Sequence, residues 1–196
     1  KVMNIVLLVS GDLGMYILNL LIREEKVSAV FTDSRSKEII LFCELNNIPL
    51  FKGNPRNEKS LSFLKQFDVD VMISINYLFL IAKEMLSYPK VLAFNLHGSL
   101  LPKYRGRTPH VWAIINGETQ TGVTAHYIDE GCDTGDVIEQ TAISILDEDT
   151  GGEILAKYRD VYFPIVVSVL EKAKSNSISA NKQNEELASF FGERTP

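Results

Sequence analysis

VMNIVLLVSGDLGMYILNLLIREE, which spans residues 2–25, changes from one hydrophobic period to another at a single turn. Its first part, residues 2–10, is rich in β-branched residues and leucine, which is typical of a strand buried on both faces. After the Gly-Asp start of the second part, apolar residues recur at helical spacing, namely Leu13, Tyr16, Ile17, Leu20 and Leu21. The stretch therefore predicts a β-turn-α unit.

The same alternation continues along the N-terminal half of the chain. Strand patterns occur in VSAVFTD (27–33), IPLF (48–51) and VDVMISINY (69–77), and helical patterns occur in SKEIILFCELNN (36–47) and EKSLSFLKQFD (58–68). Strands and helices that alternate through short polar connections form parallel sheets with helices on both faces. We therefore predict an α/β fold with a Rossmann-like, mostly parallel sheet.

The C-terminal half follows a different pattern. VLAFNLHGS (91–99) predicts another strand, and TGVTAHYID (121–129) and GDVIEQTAISI (135–145) alternate around a Gly-rich loop, which indicates a β-hairpin. Residues 150–175 predict a long amphipathic helix, with a kink near Pro164. We expect one domain over residues 1–175 and a polar extension over 176–196, where the chain either leads into an appended region or becomes disordered.

Composition limits the classes of partner. The chain has 196 residues, of which 45% are hydrophobic and 23% charged, and its formal net charge is −5. An acidic protein is a poor match for nucleic acid. No apolar run reaches the length of a membrane span, and the two cysteines fit neither a disulfide framework nor a zinc pattern. We therefore expect a cytoplasmic protein with no membrane partner, no nucleic acid and no metal.

FNLHGS (94–99) places polar side chains where a predicted strand ends. If residues 91–95 form a strand, its period of two sends Asn95 and His97 to the same face, and Gly98 marks where the chain leaves the sheet. The carboxyl ends of parallel strands are where open α/β sheets bind ligands. The sequence leaves open two interpretations, a functional pair or a capping asparagine beside a surface histidine.

Three loops have both a functional and a purely structural interpretation. SGDLG (10–14) is either a phosphate cradle at a helix N-terminus or a plain turn, and Asp12 would repel an anion. LLPKYRGRTPH (100–110) is stiffened by proline and glycine, and forms either the wall of a site or a surface crossover. YIDEGCDTGDVI (127–138) carries four acids; its glycines do not fit an EF-hand, so it presents either solvated acids or one aspartate beside a histidine.

Together these residues resemble a known family. The Asn95-Leu96-His97 segment, SLLPKYRG (99–106) and WAIINGETQTGVTAHYIDEGCDTGD (112–136) are similar to the signature of the 10-formyltetrahydrofolate-dependent formyltransferases. That family includes enzymes that formylate methionyl-tRNA, glycinamide ribonucleotide and amino sugars. The resemblance implies a formyltransferase whose co-substrate is 10-formyltetrahydrofolate.

The resemblance also implies roles for individual residues. It assigns Asn95, His97 and Asp133 as the catalytic residues, with the first two donating hydrogen bonds to the formyl oxygen and Asp133 holding His97 charged. It implies that the folate is bound by Phe79, Leu80, Ile81, Leu101, Ile128, Asp129, Glu130 and Gly131.

Three acceptors compete for the formyl group. A tRNA acceptor fits poorly with an acidic chain, and glycinamide ribonucleotide fits poorly with an acid in the first turn. GNPRN (53–57), residues 104–118 and the terminal RTP are similar to the sugar N-formyltransferases, so we expect a dTDP- or UDP-linked amino sugar. Candidates for its contacts are Ser10, Gly11, Asp12, Tyr77, Tyr104, Arg105 and Trp112. A catalytically silent ligand-binding module is the alternative of another class, and a homodimer is compatible with the sequence.

Overall fold

The computed structural model describes residues 1–194. These residues form two compact units, which divide between Asn95 and Leu96. Thr195 and Pro196, the end of the RTP segment, lie outside the described residues. None of the helices within residues 1–194 combines the length and the apolarity that a membrane span requires.

The first unit contains a parallel sheet in the order β3-β2-β1-β4. Its strands are β1 (Asn4–Val9), β2 (Lys26–Thr32), β3 (Leu50–Lys52) and β4 (Val71–Ile75). Its helices are α1 (Gly11–Leu21), α2 (Lys37–Leu45), α3 (Glu58–Leu64) and α4 (Lys83–Leu86). Strand β4 is buried along its whole length, as its continuous apolar sequence requires.

The turn between β1 and α1 depends on two glycines. Gly11 has a φ of +67°, which L side chains rarely adopt, and a Cβ on Gly14 would lie 2.9 Å from the Cβ of Val9. Gly14 thus lets α1 pack closely against the end of β1. This tight connection places Ser10 and Asp12 at the carboxyl edge of the parallel sheet.

The second unit is built around an antiparallel hairpin and one long helix. Its elements are β6 (Arg105–Gly106), α5 (Pro109–Ile115), β7 (Gln120–Tyr127), β8 (Val137–Ser144), α6 (Gly151–Lys174) and β9 (Phe190–Phe191). Strand β5 (Leu92–His97) carries the chain from the first unit into the second. The predictions of a parallel α/β sheet, a C-terminal hairpin and a long helix are confirmed.

Helix α6 begins at a capping box and packs on the hairpin. The Thr150 hydroxyl and the Glu153 carboxylate satisfy each other's backbone N–H groups at its start. The helix continues without interruption through Pro164. Its buried face, which includes Val166, Val169 and Leu170, contacts β7 and β8.

The polar C-terminal extension is ordered up to its last described residues. Backbone hydrogen bonds join Asn181 to Val137, and β9 pairs in parallel with β6. A 3₁₀ turn over Glu185–Leu187 lies between these two contacts. These long-range hydrogen bonds hold the segment against the second unit despite its polar composition.

We expect Leu170→Ala to lower the free energy of unfolding by about 2–5 kcal/mol, because Leu170 is 2% exposed and its loss leaves a cavity beneath α6. The matched control is Leu155→Ala on the same helix, where the side chain is 43% exposed and the change should stay within about 0.5 kcal/mol. Urea unfolding of both variants measures the difference. Equal losses would contradict the position of the core beneath this helix.

Candidate active site

His97 and Asp133 come together in the second unit. The imidazole Nδ1 lies 3.5 Å from Asp133 Oδ1, and His97 is only 7% exposed. Its Nε2 lies 2.7 Å from the carbonyl oxygen of Tyr104. Because a carbonyl only accepts, Nε2 carries a proton and donates it there. Nδ1 is therefore the nitrogen that faces the carboxylate and can exchange a proton.

A second histidine, His126, faces the same carboxylate oxygen. Its Nε2 lies 3.7 Å from Asp133 Oδ1, and its Nδ1 donates to the carbonyl of Tyr127 at 2.8 Å. Burial lowers the pKa of His126, although the Tyr127 carbonyl and the charge of Asp133 act in the opposite direction. Sequence reasoning missed this residue, although its position in a strand just before the acid loop was a signal.

The Asp133 side chain is held from its other oxygen. The backbone N–H of Gly106 donates to Oδ2 at 2.9 Å, which leaves Oδ1 toward the two imidazoles. Gly106 has a φ of +100°, and a Cβ there would lie 2.1 Å from the carbonyl oxygen of Phe191. Only glycine fits this position, so the Arg-Gly pair of the loop serves the geometry of the carboxylate.

The neighbouring thiol is not an activated nucleophile. Burial and then the adjacent Asp133 raise the pKa of Cys132 to about 11. Nucleophilic cysteines need a lowered pKa so that the thiolate is present at neutral pH. The chemistry of this site is therefore general acid–base and electrostatic chemistry centred on imidazole and carboxylate groups.

Asn95 precedes His97 by two residues on β5. The alternation of side chains along a strand directs both residues to the same face. Asn95 is partly exposed and His97 is buried. Strand β5 thus carries an amide group and an imidazole ring two residues apart.

The residues predicted to bind folate are distributed over both units. In the first unit, Phe79, Leu80 and Ile81 follow β4, and Phe79 packs edge-on against Tyr77 with ring centroids 5.5 Å apart. Leu80 is 62% exposed, so the segment is not ordinary core packing. Their contact with folate stays a prediction.

In the second unit, Leu101 is buried and its backbone is fixed at both ends. Its N–H donates to the Thr124 hydroxyl, and its carbonyl accepts from the Gln140 amide at 2.7 Å. The acid loop is also built by its own residues, because Asp129 accepts from the N–H of Gly131 at 3.0 Å. Of the other predicted residues in this loop, Ile128 is half-buried and Glu130 is exposed.

Tyr104 is engaged within the second unit. Its hydroxyl donates to Glu118 at 2.6 Å and accepts from Asn116 at 3.3 Å. Its ring stacks on Phe191 with centroids 5.1 Å apart. Because both sides of the hydroxyl are used, Tyr104 contributes packing and its backbone carbonyl rather than a free polar group.

Arg105 and Trp112 are engaged in the same way. The Arg105 guanidinium donates to Gln183 and forms a bidentate pair with Glu185 at 2.9 and 2.7 Å. The Trp112 indole N–H donates to the carbonyl of Gly192 at 3.1 Å. The C-terminal extension thus accepts hydrogen bonds from the polar groups of Arg105 and Trp112. The predicted contact of these two residues with the acceptor stays a prediction.

The first turn carries negative rather than positive charge. Asp12 lies exposed in the first turn of α1, and the Gly11 N–H donates to the Ser36 hydroxyl. Although burial acts to raise it, hydrogen bonds from Ser36 and the Arg35 backbone lower the pKa of Asp33. Asp33 follows β2 and Asp12 follows β1, so the two acids make this edge of the sheet a weak anion site.

The Tyr77 hydroxyl is buried and has no hydrogen-bond partner among residues 1–194. Burial raises the pKa of Tyr77, and the negative charge of Asp33 raises it further. The hydroxyl therefore stays protonated and can donate to a ligand atom. No group of three or more His, Cys, Asp and Glu side chains within the described residues could hold a metal ion.

Comparisons with known proteins identify the family of this chain and its fold. Residues 1–170 match the sequence model of the family described as formyl transferase. The structure is similar to that of WlaRD, a sugar 3N-formyl transferase solved with dTDP and 5-N-formyl-THF, with TM-score 0.79 and 23% identity over 98% of this chain and 70% of that one. It is also similar to an N-formyltransferase from Helicobacter canadensis in complex with folinic acid and dTDP-3-aminofucose, with TM-score 0.78 and 22% identity over 98% and 71% of the two chains.

A third similar structure has a different acceptor in its description. It is phosphoribosylglycinamide formyltransferase from Bacillus halodurans, with TM-score 0.74 and 27% identity over 87% of this chain and 96% of that one. The likeness to the two sugar enzymes lies at a level of identity that reflects a common fold. The comparisons therefore leave the acceptor to be argued from the residues.

We expect the His126 imidazole to titrate below its ordinary value of 6.5, and Asp133→Asn to lower that pKa further, because the charge that favours the imidazolium is lost. The unfolded chain binds this proton more readily, so acidification through about pH 6.5 should lower the free energy of unfolding. NMR titration of the imidazole resonances measures the shift. His110, whose pKa burial also lowers, is the internal control. An unchanged His126 in the variant would contradict the contact with Asp133.

Proposed function

This chain belongs to the formyl transferase family, and on that premise we propose that it transfers a formyl group from 10-formyltetrahydrofolate to the amino group of a nucleotide-linked amino sugar. The observation that carries the chemistry is the pairing of His97 with Asp133 at 3.5 Å in a site from which most solvent is excluded. The reduced folates present in the structures of two relatives support the choice of donor.

The proposed reaction begins when the acceptor amine attacks the formyl carbon. Negative charge then develops on the formyl oxygen, where hydrogen-bond donors stabilise a transition state most strongly. His97 Nε2 is already engaged with Tyr104, so Nδ1–H is the donor, and Asn95 supplies a second donor from its amide. The distance of 3.5 Å to Asp133 is longer than an ordinary hydrogen bond, which leaves this proton available to the substrate.

The carboxylate of Asp133 has two tasks in this mechanism. Its negative charge lies beside the imidazole of His97 and strengthens the hydrogen bond that this ring donates to the developing oxyanion. It also accepts the proton that the amine must lose, directly or through water. The attack of the amine forms the new C–N bond, and collapse of the tetrahedral intermediate then breaks the bond to N10 of the folate and returns a proton to N10.

The charge of the first turn favours a sugar acceptor over a phosphate monoester. Asp12 and Asp33 lie at the carboxyl ends of β1 and β2, where a phosphate would meet repulsion. Sugar hydroxyls can donate to carboxylates and accept from the buried Tyr77 hydroxyl. The net charge of −5 likewise disfavours tRNA.

A second candidate is the formylation of glycinamide ribonucleotide. It is favoured by the 27% identity to the Bacillus halodurans enzyme, of which this chain covers 96%. Both candidates use the same donor and the same pair of catalytic side chains. They differ in the acceptor, because glycinamide ribonucleotide carries a phosphate monoester that the protein would have to bind.

We expect His97→Ala and Asn95→Ala each to lower kcat by roughly 10²–10³-fold, because each removes one donor to the developing oxyanion. Asp133→Asn should also lower kcat strongly. The affinity for 5-formyltetrahydrofolate, measured by fluorescence titration, should stay nearly constant in all three variants. An equal loss of folate affinity and turnover would indicate a structural role, and an inactive parent with intact folate binding would favour the binding module.

We expect the parent protein to formylate at least one of the dTDP- or UDP-linked 3-amino and 4-amino sugars with a higher kcat/KM than glycinamide ribonucleotide, because the acidic first turn repels a terminal phosphate. Turnover with each acceptor is measured by release of tetrahydrofolate at equal concentrations. Asp12→Asn serves as the charge control, and it should reduce the difference in kcat/KM between the sugar acceptors and glycinamide ribonucleotide. Turnover with glycinamide ribonucleotide alone would overturn the sugar assignment.

A further inference from the structure

We propose that Gln183 is a positioning residue, which holds the backbone of Asp133 so that its carboxylate faces the two imidazoles. This inference rests on the proposed function for its effect on turnover. Gln183 belongs to the C-terminal strap, a name used here for residues 181–193. The sequence pattern gave the strap no role, because its polar residues follow neither hydrophobic period and form no recognisable motif.

The side-chain amide of Gln183 makes a complete set of hydrogen bonds. Its Nε2 donates to the carbonyl oxygens of Asp133 and Gly135, both at 2.8 Å. Its Oε1 accepts from Nη2 of Arg105 at 2.8 Å and from Nε at 3.2 Å. Both protons and both lone pairs of the amide are thereby used, which defines its orientation.

The backbone of Asp133 needs such support. Its φ is +56°, in the left-handed region that residues with a Cβ adopt rarely. Rotation of this residue into ordinary backbone space would swing the carboxylate away from the histidines. The two carbonyls that Gln183 binds lie on the residue itself and two residues later, so they clamp this local geometry.

Arg105 connects the clamp to the other contact of the carboxylate. Its guanidinium is buried, with the residue 8% exposed, and its charge is balanced by Glu185 of the strap. The next residue, Gly106, donates its N–H to Asp133 Oδ2. Pairing of β6 with β9 keeps Arg105 and Gly106 in register with the strap. The strap therefore fixes the Asp133 backbone through Gln183 and the carboxylate through Gly106.

A positioning role differs from simple stabilisation in what its loss changes. The charges that act on the His126 ring come from Asp133, Asp129 and His97. If the clamp is removed and the carboxylate turns away, the stabilisation of the His126 imidazolium is lost. The titration of His126 then moves in the same direction as in Asp133→Asn, although Gln183 itself carries no charge.

The test uses Gln183→Met, which keeps the length of the side chain but can neither donate nor accept strongly. We expect kcat to fall on the order of 10²-fold, as for a misplaced catalytic group. The KM for 10-formyltetrahydrofolate should change by less than about threefold. NMR titration should give a lower pKa for His126. The matched control is Gln66→Met at an exposed site of the first unit, which should change none of these values.

A second variant separates the two halves of the amide. Gln183→Glu keeps an acceptor for Arg105 but loses both donors to the loop carbonyls, so it should retain the fold and still lose turnover. Parent-like kcat and His126 titration in folded Gln183→Met, or parent-like kcat in folded Gln183→Glu, would overturn the proposal, as would lost turnover in Gln183→Met with an unchanged His126 titration. If the parent formylates no acceptor, the proposed function fails, while the titration of His126 still decides the role of Gln183.

Discussion

The carboxylate of Asp133 faces two imidazole rings, and much of the second unit is arranged to keep it there. Each ring uses its other nitrogen to donate to a backbone carbonyl, which orients both rings toward the same carboxylate oxygen. The two ring nitrogens that face this oxygen lie 3.5 and 3.7 Å from it, so acid–base groups are concentrated around one carboxylate. Such a group of imidazole and carboxylate side chains can take up and return the proton that an acyl-type transfer to an amine moves.

The parts of this site that local sequence encodes were predictable. A continuous apolar run specified β4 as a buried strand, and a period of two placed Asn95 and His97 on one face of β5. Asp133 came from resemblance rather than from spacing, because nothing local says that an acid loop will reach a strand 36 residues earlier in the chain (133 − 97 = 36). Hydrophobic periodicity thus predicts elements, and only folded contacts bring their polar residues together.

The C-terminal strap could not be predicted for a related reason. Its residues are polar, so neither hydrophobic pattern applies, and its order comes from contacts with residues such as Arg105 and Trp112 about 80 positions earlier. Those two residues were predicted to contact the acceptor because the segment that contains them resembles the sugar N-formyltransferases. In the folded chain their polar groups donate hydrogen bonds to the strap. Nothing in the sequence indicates that they bind a partner within the chain rather than the acceptor.

We infer that recognition of the acceptor depends on charged side chains more than on the fold. Relatives that act on sugars and on glycinamide ribonucleotide share this architecture with TM-scores of 0.79 and 0.74, so the scaffold does not discriminate between them. In the proposed function, discrimination comes from side chains at the carboxyl edge of the first sheet, where Asp12 and Asp33 oppose a phosphate. The hydroxyl groups of a sugar ring can satisfy Asp33 and Tyr77 together, whereas a phosphate group at the same place would meet the negative charges of Asp12 and Asp33. That electrostatic cost supports the proposal of a sugar ring at this edge, and it requires the diphosphate of a nucleotide-linked sugar to bind elsewhere.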